Sequence, residues 1–114
     1  METRNAVIEY AKISNDDHGC LTVWIGLDYG GFHQGFGGYA LYLPKDFANH
    51  KLHSVAGHFI YRVLEIADVG EWSKLVGKTV RAKCDYVGVS AIGHIVKDDW
   101  FCPKKDFDSL KEGA

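Results

Sequence analysis

Eleven consecutive residues from Tyr29 to Tyr39, YGGFHQGFGGY, hold five glycines and four aromatic rings, and the chemistry they suit is recognition. Glycine removes the Cβ and lets a ligand or another backbone approach closely, while rings supply stiff contact area at low entropic cost. Backbone amides opened by glycine can meet carbonyls or phosphates, and His33 and Gln34 offer directed hydrogen bonds. The candidate binding residues are therefore Tyr29, His33, Gln34, Gly35, Phe36, Gly37, Gly38 and Tyr39. Arg62 and Arg81 join them as phosphate or carboxylate contacts if the fold brings them near.

Bond-making chemistry finds less support. Gly35 to Ala40 (GFGGYA) satisfies the dinucleotide pattern G-x-G-x-x-G/A, but that pattern holds pyrophosphate on the N-terminus of a helix, and the following ALYLP has strand character. Gly77-Lys78-Thr79 resembles the end of a phosphate loop, yet the earlier glycine such a loop requires falls at Trp72. The nucleophile-elbow pattern G-x-S-x-G is missing, and no serine has a local activating context. Cys84 and His94 could face each other across a hairpin, but a thiolate-imidazole pair also needs an orienting group and an oxyanion donor. Asp16-Asp17 and Asp98-Asp99 read as solvated turn residues.

Metal binding fares similarly, since structural zinc wants four ligands at short paired spacings and there is no C-x-x-C. On a helix His53 and His58 point about 140° apart, so they and His50 cannot share an ion from that element. Asp17, His18 and Cys20 would need a distant His94. The expectation is a non-enzymatic protein with no cofactor and no metal.

At 114 residues, 46% hydrophobic and 25% charged, the chain is the size of one compact domain, and we assign 1–114 to a single one. Thirteen basic against fifteen acidic side chains give a net charge of −2, which supplies neither a basic stripe for duplex DNA nor the dense acidity of a nucleic-acid mimic. Three cysteines, Cys20, Cys84 and Cys102, cannot all pair within one chain. With no signal-peptide pattern at the N-terminus, a reducing cytoplasm is the expected compartment. The longest apolar run is a few residues against the roughly 20 that span a bilayer, so no membrane association is expected.

Periodicity supplies the elements that must position these residues. Ala6 to Ile13 alternates with Ile8 and Tyr10 on one face, and Cys20 to Tyr29 places Leu21, Val23, Ile25, Leu27 and Tyr29 on one face. Ser14 to Gly19 (SNDDHG) is dense in turn formers, and Phe36 to Leu43 forms a third strand stopped by Pro44. The glycine-rich segment is then a loop or a bulged continuation of the sheet. Leu52, Val55, Ala56, Phe59, Ile60, Val63, Leu64 and Ala67 recur at helical spacing, with Asn49 as cap and Gly70 as stop. Strands Thr79 to Cys84 and Val89 to Val96, an aromatic exit over Asp99 to Pro103, and a short helix over Lys104 to Lys111 complete the chain. The expected class is α+β: a mainly antiparallel sheet of about five strands packed against one long amphipathic helix, in the order βββαββα.

Taken whole, METRNAVIE at the start, DHG at Asp17 to Gly19, QGFGGY at Gln34 to Tyr39, FIYRVLE at Phe59 to Glu65, EWSKLVGKTVR at Glu71 to Arg81 and AIGHIVKDDWF at Ala91 to Phe101 resemble a family of small uncharacterised proteins of tailed bacteriophages. The resemblance spans nearly the full length and carries no site residues with it. It implies a protein made in the cytoplasm of an infected bacterial host, where small stand-alone domains disable immunity by binding or assist phage DNA metabolism.

The expected function is a phage-encoded counter-defence protein, for example an anti-CRISPR, that binds a host effector or its signalling nucleotide. The alternative is a single-stranded nucleic-acid-binding accessory protein, with Tyr29, Phe32, Phe36, Tyr39 and Tyr42 stacking bases and Lys12, Arg81 and Lys83 tracking phosphates. Their spacing does not match the aromatic motifs of an RNA-recognition module. An exposed strand edge or apolar face would also permit a homodimer.

Overall fold

The computed structural model describes residues 1–17, 20–39, 41 and 55–113. Their elements are β1 (Glu2–Asp17), β2 (Cys20–Asp28), β3 (His33–Gly37), α1 (Val55–Ala67), β4 (Thr79–Cys84), β5 (Val89–Gly93), β6 (Trp100–Phe101) and α2 (Pro103–Gly113), with a single 3-10 turn at Trp72–Lys74. All strand pairings are antiparallel, in the sheet order β3-β2-β1-β4-β5-β6. The class is α+β as expected, with six strands instead of about five. The added strand is the aromatic exit, where Trp100 and Phe101 pair with Gly93 and Ile92.

β1 joins the two halves of the sheet. Its residues 2–7 pair with β4 and its residues 7–17 with β2. Between the pairs Ile8↔Leu27 and Tyr10↔Gly26 one extra residue, Glu9, forms a bulge. A bulge bends its strand and shifts the phase of the pleat. Ala6 and Ile8 therefore point into the core, whereas Tyr10 is exposed and Ala11 packs inward. This corrects the expectation that Ile8 and Tyr10 share a face, because alternation cannot register an inserted residue. Pairing also runs into the stretch expected to be a loop, since it continues to Asp17↔Cys20.

β3 begins and ends earlier than the Phe36–Leu43 strand expected. Gly37 and Gly38 take φ of 127° and 76°, which L side chains avoid, and they break the pleat. Gly38 N still donates to Val23 O at 2.9 Å and Leu41 N to Leu21 O at 3.0 Å, so the chain follows β2 as an irregular continuation. Residues 42–54, which include Tyr42, Pro44, Asn49, His50, Leu52 and His53, lie outside the described residues.

The sheet curls so that β3 comes against β5, and α1 lies over the inner face with Val55, Phe59, Val63, Ile66 and Ala67 buried. Phe36 and Phe101 from opposite ends of the sheet meet Phe59 at centroid distances of 5.7 and 5.2 Å. Burying three such rings supplies several kcal/mol, at roughly 25 cal/mol per Å² of apolar surface. α1 stops at Asp68, not Gly70. Asp68 holds φ of 58°, its N–H donates to Glu65 O at 3.1 Å, and Val69 N–H donates to Leu64 O at 3.1 Å. That pair of bonds is a Schellman cap with aspartate in the place usually held by glycine. Among the described residues no helix is long and apolar enough to cross a membrane.

Candidate functional site

Two glycines of the Tyr29–Tyr39 segment, Gly35 and Gly38, are seats for a side chain of the neighbouring strand. On the outer face of β2, the Trp24 ring fills the space a Cβ would need on Gly38, and it stands 2.9 Å from the position of a Cβ on Gly35. The Tyr10 ring covers Gly26 in the same way. Both rings keep an exposed edge, Trp24 at 40% and Tyr10 at 44%.

β3 and the β4–β5 turn form the two banks of a groove of about 480 Å³. Trp24, Phe32, His33, Gln34 and Gly35 line one bank, and Tyr86, Val87 and Gly88 the other. The turn is set by Asp85, whose Oδ1 accepts from Val87 N at 2.9 Å and Gly88 N at 3.1 Å. Its tip carries apolar side chains straight into solvent, with Tyr86 98% and Val87 83% exposed. Phe32 opposite them is 46% exposed and lies under the Arg4 guanidinium, 4.7 Å from the ring centroid.

A hydrogen-bond chain ties the banks together. Tyr29 Oη donates to Gln34 Oε1 at 2.7 Å, and Gln34 Nε2 donates to Asp85 O at 2.7 Å. Burial, followed by the hydrogen bond with Cys84, pushes the Tyr29 phenol well above its ordinary ionisation, with the Arg4 charge opposing. At the rim His33 Nδ1 lies 2.8 Å from Glu9 Oε2 and 3.9 Å from Asp28 Oδ1. These are the described side chains placed so that they could hold a metal ion.

The predicted binding residues divide between the groove and the core. Tyr29, His33, Gln34 and Gly35 border or underlie the groove, whereas Phe36 is fully buried against Phe59 and Phe101. Tyr39 packs on Phe59 and Phe107, and Gly37 approaches the Val23 carbonyl too closely for any Cβ. Arg62 lies elsewhere: it donates to Asp99 and Glu65 at 2.8 Å each and to Trp100 O at 3.0 Å, joining α1 to β6. Arg81 donates to His94 O and Lys97 O at 2.7 Å each and lies over the Trp100 ring with Lys83.

Cys84 and His94 do not face each other. Cys84 pairs with Val89 at one end of the β4–β5 ladder, while His94 follows Gly93 at the other. His94 Nδ1 accepts from Val96 N and Lys97 N, each at 3.0 Å, so it organises a turn. His58 Nε2 lies 2.7 Å from Asp106 Oδ2 and ties α1 to α2.

Sequence reasoning missed Tyr10, Trp24, Tyr86, Val87, Glu9 and Asp28. The available signal was DYVG at Asp85 to Gly88, two large apolar residues inside a turn that turn chemistry does not call for. Comparison with protein-family models, with curated proteins and with solved structures finds no match.

Proposed function

We propose that this protein acts by stoichiometric binding of a protein partner in the groove between β3 and the β4–β5 turn, without catalysing a reaction. The observation that carries this reading is the apolar tip of Tyr86 and Val87, exposed at 98% and 83% and facing Phe32 and Trp24. Aromatic anchors of this kind dominate protein interfaces when they are desolvated by a partner. Rim charge argues against a phosphate chain as occupant. Glu9, Asp28 and Asp85 stand at the groove, and Arg4 is held by Glu2 at 2.9 Å. Arg81, one of the three cations expected to track phosphates, spends its donors on the His94 and Lys97 carbonyls.

The resemblance to tailed-phage proteins supplies the setting. The partner in this reading is a bacterial immune effector, and the protein is a counter-defence factor in the host cytoplasm. A signalling nucleotide is the second reading, favoured by a groove volume of about 480 Å³, within the range of small-molecule sites.

The test is native mass spectrometry of the protein recovered from defence-active bacterial lysate, compared with Tyr86→Ala and Phe32→Ala variants. The expected result is one host protein in fixed ratio, lost from both variants while their circular dichroism is unchanged. An added mass of a few hundred daltons would transfer the reading to the nucleotide. Salt-sensitive retention of single-stranded DNA would transfer it to nucleic acid.

A further inference from the structure

Three strands bring together a side-chain cluster whose chemistry the binding of a protein partner does not use. Glu9, Asp28 and His33 each offer a metal-ligating atom, and the three atoms lie within 4.8 Å of one another. Separate features of the fold place them. Asp28 and His33 are a cross-strand pair of β2 and β3, next to the pair in which Tyr29 N donates to Phe32 O at 3.0 Å. Asp28 and His33 are therefore a pair of the non-hydrogen-bonded type, whose side chains stand closest. Glu9 is the extra residue of the β1 bulge, a device that re-aims a side chain away from the regular pleat.

We propose that Glu9, Asp28 and His33 form a binding site for a divalent transition-metal ion, with Zn²⁺ the best match. An imidazole with two carboxylates is a mixed nitrogen and oxygen set, which suits zinc and manganese better than calcium or magnesium. Zinc bonds of about 2.0–2.2 Å put tetrahedral donors about 3.4 Å apart. The observed separations from His33 Nδ1, 2.8 Å to Glu9 and 3.9 Å to Asp28, fall on either side of that value. Small rotamer changes close the site, and the ion takes the place of the contact between His33 Nδ1 and Glu9 Oε2. Gly30 N donates to Asp28 Oδ1 at 2.8 Å and holds that carboxylate in orientation, as partners behind metal ligands do.

Three protein donors leave a fourth position to water or to a donor brought by an incoming molecule, the pattern of an open site rather than a structural one. The cluster sits in part-exposed side chains at the groove rim, so the ion exchanges with solvent and the fold does not depend on it.

Equilibrium dialysis of the full chain against Zn²⁺, with His33→Ala and Glu9→Gln variants, tests the site. One ion per chain is expected, with affinity reduced at least about tenfold in each variant and circular dichroism unchanged. Substoichiometric Mn²⁺ in NMR gives the second readout, separating this cluster from the chain's other histidines: line broadening is expected to centre on His33 and Asp28. Zinc retained equally by both variants, broadening centred elsewhere, or no zinc retained by the wild type would overturn the proposal.

Discussion

Trp24 rests against the backbone of Gly35, its Cε3 and Cζ3 atoms 2.9 Å from where a Cβ on that glycine would stand. The same arrangement recurs across the sheet, where Trp100 lies 2.7 Å from a Cβ position on Gly93. In both places a strand glycine, costly on propensity grounds, is compensated by a ring from the adjacent strand. Gly35→Ala should therefore displace the indole and destabilise the protein by about 1–2 kcal/mol, the usual scale of overpacking. In a Trp24→Ala background the same change should be close to neutral. Urea unfolding of the four proteins of this cycle measures the coupling, and simple additivity would show that the ring does not rest on Gly35.

His94 acts through the lone pair of Nδ1, which two backbone amides share. That geometry places the ring proton on Nε2, the nitrogen 4.0 Å from Asp68 Oδ2. His94→Ala leaves the Val96 and Lys97 amides without their acceptor, at a cost of about 1–2 kcal/mol. Asparagine carries an oxygen at the position of Nδ1 and can cap the same turn, so His94→Asn should recover at least half of that loss. Thermal denaturation of the two variants decides, and equal destabilisation would mean that ring packing, not the acceptor, holds the turn.

Much of this architecture was legible in the sequence because alternation is a local signal. Val23, Ile25 and Leu27 fall inward as their spacing requires, and Thr79–Cys84 forms the strand expected of it. The phase of β1 beyond Ile8 was not legible, since the Glu9 bulge is dictated by pairing with β2 and leaves no mark in composition. The stop at Asp68 was hidden for the opposite reason: Gly70 offered a stronger cap signal, while the left-handed position falls on the aspartate two residues earlier. In the glycine-aromatic segment, composition identified an unusual surface but not which face each ring would take. Phe36 is core and Phe32 is exposed, while two further exposed rings, Trp24 and Tyr86, come from outside the segment.

Asp99 accepts from Arg62 at 2.8 Å, and that hydrogen bond is the main reason its carboxyl is held below its ordinary value of 3.8. A depressed folded-state value means that the pair stabilises the fold above about pH 4 and that the contribution disappears as pH falls through the lowered value. Asp99 is 41% exposed, so solvent screens the interaction and the effect is modest. Asp99→Asn should lower the urea midpoint at pH 7 and converge with the wild type at the acid end of the titration. A difference that persists unchanged to low pH would assign the loss to packing of the Arg62 strut, not to charge.

Phe36 and Tyr86 separate the core role of the glycine-aromatic segment from the binding role proposed for the groove. Phe36 is fully buried between Phe59 and Phe101, so Phe36→Ala removes a ring from the centre of the core. A cost of about 3–5 kcal/mol is expected, a large share of the about 5–15 kcal/mol that keeps a domain folded. Tyr86 is 98% exposed at the turn tip, and its ring forms no part of the buried cluster. Tyr86→Ala should leave the unfolding free energy within about 0.5 kcal/mol of wild type, as surface substitutions do. Under the proposed counter-defence function, partner capture and protection of phage in a defence-active host should nevertheless be lost with it. Denaturation and plaque assays on the two variants separate the outcomes: a Tyr86→Ala protein that is stable and fully active would remove the turn tip from the binding surface.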